Sequence, residues 1–176
     1  MSRERLFGPA DLQVLDRISE RAEELVGDYY HLPAFGPRRY LYEVATYRTL
    51  GPVERAEGAF AQLCRYVKRP PVPGDRRRAD RYYRICLQDP QILAAVHPEG
   101  TPFGLQPLLL YIFTHELIHI VRFEQFEHPF VTEPEGRQAE ERAVHQVTYD
   151  LLSGVEDPEI EALLDYYRTH RMPRCL

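Results

Sequence analysis

Two histidines and a glutamate stand close together in the most apolar stretch of the chain. His115, Glu116 and His119 form an HExxH pattern inside the run of residues 108–121. If this run is a helix, the two histidines lie one turn apart on one face, where both imidazoles can bind the same zinc ion. Glu116 would then lie beside the ion and could take a proton from a metal-bound water. The pattern predicts a zinc site with Glu116 as general base.

The apolar surroundings strengthen this interpretation of a pattern that also arises by chance. Burying imidazole and carboxylate groups costs free energy unless they are paired or bind a metal. The alternative is a pair of hydrogen-bonded core histidines with a glutamate partner. The burial cost favours a metal, and zinc is the ion that nitrogen and carboxylate ligands indicate.

A third ligand is expected from a later helix, because a catalytic zinc site keeps three protein ligands and one open position. The predicted helix over residues 133–152 offers Glu140, Glu141 and His145. On a helical wheel of about 100° per residue, Glu140 falls near the centre of the apolar face and Glu141 at its edge. Burial alone therefore favours Glu140. Glu141 is favoured by its pairing with His145 one turn later, so the residues leave both glutamates open.

Residues 108–152 resemble the gluzincin metallopeptidases, the thermolysin-like class in which HExxH is followed by a glutamate on a later helix. Within that class, Glu141-x-x-Val144-x-x-Val147-Thr148-x-x-Leu151-Leu152 is similar to the ExxAxxFAxxLL helix of ImmA/IrrE-type proteases. The resemblance implies zinc ligation by His115, His119 and Glu141, with Glu116 as the base. We therefore expect Glu141 as the third ligand, with Glu140 as the runner-up.

The resemblance also implies a place for the substrate and shows one departure. The strand predicted at residues 82–87 would line the cleft and bind a peptide by edge addition. Gluzincins often carry ExxxD on the ligand helix, whereas His145 stands at that fourth position here. His145 would then support the ligands or act as an additional one. Several residues could stabilise the oxyanion of the reaction, although residues of these types more often pack in the core or lie on the surface. They are Tyr111, Tyr149, Tyr166, Tyr167 and Arg122.

The remaining patterns predict a mostly helical α+β fold with a small sheet, in which the HExxH helix packs against the ligand helix. Helices are predicted over 9–26, 51–67, 89–96, 105–124 and 133–152, and from 157 to about 173, with strands at 40–47 and 82–87. The helix at 51–67 is predicted from the helical spacing of an apolar face formed by Val53, Ala56, Phe60, Leu63 and Val67. A capping box of Thr132 and Glu135 is expected to begin the ligand helix. Residues 68–81 form a basic, proline-rich loop.

Length and charge limit the possible classes of function. A chain of 176 residues predicts a single domain, and a net charge of −5 argues against nucleic acid as a partner. The apolar run at 108–121 is too short to span a bilayer, and no apolar segment follows the N-terminus, so a cytoplasmic location is expected. The three cysteines predict neither a disulfide framework nor a CxxC site.

The predicted function is a zinc-dependent metallopeptidase acting on a peptide or protein substrate. The alternative is a non-catalytic metal-binding or regulatory protein, which a fourth ligand at His145 would favour because it closes the coordination shell. A di-iron bundle would need a second Glu-x-x-His pattern, and His145 instead follows Arg142 by three residues. The oligomeric state is left open.

Overall fold

The computed structural model describes residues 5–32, 41–67, 81–97, 100–125, 133–170 and 174–175. Within these residues the fold is mostly helical α+β, as predicted. The helices are α1 (Pro9–Tyr29), α2 (Asp89–Ala95), α3 (Leu105–Gln125), α4 (Pro134–Leu152) and α5 (Pro158–Thr169), and two 3-10 turns lie at Tyr47–Thr49 and Pro52–Glu54. The strands are β1 (Tyr42–Ala45), β2 (Ala59–Val67), β3 (Arg81–Leu87) and β4 (Arg174–Cys175).

The four strands form one sheet in the order β1-β3-β2-β4. β1 runs parallel to β3, β2 runs antiparallel to β3, and β4 runs parallel to β2. The predicted strands at 40–47 and 82–87 correspond to β1 and β3. Neither β2 nor β4 was predicted.

The helix predicted over residues 51–67 is wrong, because this segment forms a 3-10 turn followed by β2. Gly58 has a φ of 71°, which breaks any continuous helix between the two parts. Val53, expected on the buried face, is 81% exposed. From Ala61 to Val67 the segment instead pairs with β3, and this tertiary pairing overrides a helical spacing of apolar residues.

The expected peptide-binding edge at residues 82–87 is also wrong. β3 carries β1 on one side and β2 on the other, so its backbone groups are already paired within the sheet. A peptide adds to a sheet only where a strand has an unpaired edge. Substrate binding by strand addition to β3 is therefore excluded.

Helix α3 forms the centre of the molecule. Fifteen consecutive residues, 107–121, are buried, which means that the helix is enclosed on every side. It contacts α1, α2, α4, α5 and both β2 and β4. Its bounds agree with the predicted helix over 105–124. Within the described residues, no helix combines the length and apolarity needed to cross a membrane.

The helices around α3 follow the sequence with small shifts. α1 buries Leu15, Ile18 and Ala22 as predicted, although Val26 rather than Leu25 continues the buried stripe. α4 begins at Pro134 with Glu133 as its N-cap, and Thr132, the N-cap of the predicted capping box, lies outside the described residues. Most of the predicted basic loop, residues 68–80, also lies outside them.

Two of the three cysteines lie close together on neighbouring strands. Cys64 on β2 and Cys86 on β3 have their Sγ atoms 3.9 Å apart, and both are free thiols. The side chain of Cys175 lies outside the described part of the chain.

Asp89, at the start of α2, ties three distant segments together. Its side chain is buried, with 1% of its surface exposed. One oxygen accepts a hydrogen bond from the backbone N–H of Phe7 at 3.1 Å, and the other accepts one from Tyr47 at 3.0 Å. The carboxylate therefore joins the segment before α1 to the 3-10 turn after β1.

We expect Asp89→Ala to lower the free energy of unfolding by about 2–4 kcal/mol, because two buried N–H groups would lose their acceptor. Chemical denaturation followed by circular dichroism measures this change. The matched control is Asp16→Ala on the exposed side of α1, with an expected change within about 0.5 kcal/mol. Equal effects of the two substitutions would contradict the structural role of Asp89.

Candidate metal centre

Helices α3 and α4 bring three potential metal ligands into mutual contact. The Nε2 atoms of His115 and His119 lie 3.2 Å apart. Glu141 on α4 approaches both, with Oε1 3.0 Å from His119 Nε2 and Oε2 3.3 Å from His115 Nε2. Neighbouring ligand atoms of a tetrahedral zinc ion, bound at 2.0–2.1 Å, are about 3.3 Å apart. The three distances are therefore close to those between neighbouring ligands of one zinc ion, with a different oxygen of Glu141 facing each histidine.

The cluster lies deep in the protein and carries opposite charges. Burial lowers the pKa of His115 to about 3 and keeps that ring neutral. Burial alone would also lower the pKa of His119, but the nearby carboxylates of Glu140 and Glu141 and the charge of Glu116 raise it to about 9. Burial opposes ionisation of Glu141, yet its contacts with the two histidines bring its pKa down to about 2. The contacts between His119 and Glu141 thus favour the protonated imidazole and the ionised carboxylate.

The two adjacent glutamates of α4 occupy different sides of His119. Glu140 accepts two hydrogen bonds from Arg122, at 2.7 Å and 2.8 Å, and its Oε1 lies 3.8 Å from His119 Nδ1. Glu141 instead faces the Nε2 atoms of both histidines. A carboxylate behind a ligating imidazole is a common means of fixing its ring. Glu140 is therefore placed to orient the His119 ring, whereas Glu141 is placed to bind the same metal ion as His119.

The helical wheel placed the buried face of α4 correctly only in part. It centred that face on apolar residues that include Ala139, but Ala139 is exposed. The buried residues are Val144, Thr148 and Leu152. Thr148 can be buried because its hydroxyl donates a hydrogen bond to the backbone carbonyl of Val144 at 2.7 Å. One turn before Val144 the stripe continues to both glutamates, whose side chains are 11% exposed for Glu140 and 22% for Glu141.

Glu116 is completely buried and lies next to His115 in α3. Its charge contributes to the raised pKa of His119, so its carboxylate is within electrostatic reach of the cluster. All three residues of the HExxH pattern are thus held inside the core, where few rotamers are open to them.

His145 borders the cluster and is held by a tyrosine. Its Nδ1 lies 2.7 Å from the hydroxyl of Tyr111, and its Nε2 lies 3.9 Å from Glu141 Oε2. His115, Glu141 and His145 each offer one ligand atom within 4.8 Å of the others. His145 can therefore support the three-ligand set or join it. Tyr111 stands four residues before His115, and this one-turn spacing was the available sequence signal for its position.

The cluster meets the surface at a cleft of about 1180 Å³ between α4 and α5. Tyr111, Glu141 and His145 line this cleft. The two histidines of α3 and Glu116 lie behind these residues and are not part of the described lining. Glu141 therefore connects the buried histidines with the open space.

Comparison of the chain with protein-family models, with curated proteins and with solved structures finds no significant match. The function must therefore be inferred from the residues of the site.

A matched pair of substitutions separates the roles of the two glutamates. We expect Glu141→Ala to weaken zinc binding at least tenfold more than Glu140→Ala, because only Glu141 reaches both Nε2 atoms. Glu140→Ala should chiefly lower stability, since it removes the partner of the half-buried Arg122. Competition with a chromogenic chelator measures zinc affinity, and thermal unfolding measures stability. If Glu140→Ala weakened zinc binding more than Glu141→Ala, Glu140 would be the third metal ligand.

Proposed function

We propose that this chain is a zinc-dependent hydrolase, and specifically a metallopeptidase. The observation that carries the proposal is the convergence of His115, His119 and Glu141 within 3.0–3.3 Å, with Glu116 beside them. Two imidazoles and one carboxylate are a ligand set typical of catalytic zinc, because three protein ligands leave one position open. The resemblance of residues 108–152 to gluzincins supports the same assignment.

Different residues would have different roles in hydrolysis. A bound zinc ion would supply Lewis acidity, polarising a carbonyl and lowering the pKa of a water. Glu116 accepts a proton from the attacking water and returns it to the leaving amine. Arg122 holds the carboxylate of Glu140 3.8 Å from His119 Nδ1, where it would favour the orientation that directs Nε2 towards Glu141.

The size of the cleft supports a polypeptide substrate. Pockets for small molecules usually enclose about 300–1,000 Å³. The cleft beside Glu141 has about 1180 Å³ and opens between two helices. It can accommodate several residues of an extended chain. Because β3 has no free edge, we expect the substrate to be held by the side chains of α4 and α5 rather than by strand addition.

The second candidate function is a metal-binding protein without catalysis. It is favoured by the position of His145, whose Nε2 lies 3.9 Å from Glu141 and within reach of a shared ion. A fourth ligand would fill the position that a hydrolase keeps open. The absorption spectrum of the cobalt-substituted protein distinguishes the two candidates. His145→Ala should leave that spectrum unchanged in the hydrolase and alter it in the four-ligand protein.

We expect Glu116→Gln to keep the fold and the metal but to reduce peptide hydrolysis at least 100-fold, because an amide cannot act as a general base. Hydrolysis is measured with a library of fluorescence-quenched peptides, and metal content by elemental analysis. Glu20→Gln, on the exposed side of α1, is the matched control and should retain full activity. Loss of metal from Glu116→Gln would make this residue a ligand and refute the proposed mechanism.

A further inference from the structure

The cleft beside the candidate metal centre is strongly basic. Arg137 and Arg142 on α4 and Arg168 on α5 all line it. All three arginines are exposed to solvent. Glu141 is the one acidic residue among those described as lining the cleft, and it is held by the two histidines. Positive charge is thus concentrated here in a chain whose net charge is −5.

The arginines are arranged around the site where the reaction would occur. Arg137 precedes Glu141 by four residues, about 6 Å along the helix axis, and Arg142 follows it directly. Arg168 approaches from the facing helix. Its contact with Asp165, at 3.2 Å, joins two exposed side chains, and such pairs contribute little free energy. Arg168 can therefore exchange this partner for an anionic group in the cleft.

We propose that the cleft selects acidic polypeptide segments. An extended chain advances about 3.3 Å per residue, so the 6 Å between Glu141 and Arg137 corresponds to about two residues. A substrate aspartate or glutamate about two residues from the cut bond would face Arg137. Guanidinium groups bind carboxylates through paired hydrogen bonds, which gives this preference directional character. The position relative to a cut bond rests on the proposed hydrolase function, whereas the charge preference does not.

A polypeptide fits this surface better than a nucleic acid does. Guanidinium groups also bind phosphates. A nucleic acid, however, would continue past the cleft over a protein of net negative charge, and that field opposes its binding. A short acidic segment can stay within the cleft and does not extend over the negatively charged remainder of the protein. The cleft also presents Tyr111, Tyr149 and Tyr167, whose rings can pack against the apolar parts of a peptide.

The test measures binding without relying on catalysis. Zinc-loaded Glu116→Gln protein is titrated against three fluorescein-labelled probes: an eight-residue peptide of alternating Glu and Ala, its Lys and Ala counterpart, and an eight-nucleotide oligothymidylate. Fluorescence anisotropy at 50 mM NaCl gives each dissociation constant. We expect the acidic peptide to bind at least tenfold more tightly than either other probe. Binding should weaken at 500 mM NaCl, because salt screens exposed charges.

Charge reversal localises the preference. In the same background, Arg137→Glu combined with Arg142→Glu should weaken binding of the acidic peptide by about tenfold. Arg17→Glu on α1, an equally exposed position outside the cleft, should change it less than twofold. Unchanged thermal unfolding of these variants would show that the substitutions act on binding, since all three side chains are exposed.

The outcomes separate this proposal from the proposed function. Preferential acidic-peptide binding by the Glu116→Gln protein, together with a wild-type protein that cuts no peptide, would support the cleft assignment and refute the hydrolase. Peptide cleavage by the wild-type protein without any preference for acidic sequences would support the hydrolase and refute the cleft assignment. Equal or tighter binding of the oligothymidylate would overturn the proposal in favour of nucleic acid. No binding of any probe up to 1 mM would overturn it as well.

Discussion

A single carboxylate shared by two buried histidines is the interaction on which the site depends. α3 must be apolar on every side because it forms the centre of the core. His115 and His119 interrupt that apolar surface, and buried polar groups are costly unless they are paired or bind a metal. Glu141 meets both Nε2 atoms and brings opposite charge into the cluster. The position of α4 against α3 is therefore coupled to the chemistry of the site.

The use of two consecutive glutamates follows from helix geometry. Neighbouring side chains of a helix diverge by about 100°, so Glu140 and Glu141 cannot serve the same atom equally well. One reaches the Nε2 atoms, and the other reaches Arg122 and the Nδ1 side of His119. Arg122, Glu140 and His119 form a chain of contacts that links the outer part of α3 to the cluster. Displacing Arg122 would thus change the environment of the His119 ring.

Sequence patterns predicted the elements whose apolar spacing is determined locally. The long apolar run gave α3, and the Asp-Pro start of the last helix gave α5, where Asp157 accepts a hydrogen bond from the N–H of Glu159. The segment around Phe60 and Leu63 was assigned incorrectly because a helical spacing and a paired strand can share the same apolar residues. Only pairing with β3, a non-local interaction, decides between them.

The sequence identified the residues that meet at the candidate site, but not the detailed contacts of each. HExxH identified the three residues of α3, and their burial agrees with the apolar context. The division of roles between Glu140 and Glu141 depends on the rotation of α4 against α3, and the burial of the polar residue Thr148 made that rotation hard to predict. The contact between Tyr111 and His145 joins residues 34 positions apart, and neither the wheel nor the spacing could supply it.

The central claim is that His115, His119 and Glu141 bind one metal ion together. X-ray absorption at the zinc edge, on protein purified without chelators and then equilibrated with zinc, tests it most directly. We expect one zinc per chain with nitrogen and oxygen neighbours at about 2.0–2.2 Å and no sulfur in its shell. Binding should be lost in His115→Ala. A wild-type protein that retains no zinc after equilibration, or one whose zinc has sulfur neighbours, would contradict the claim.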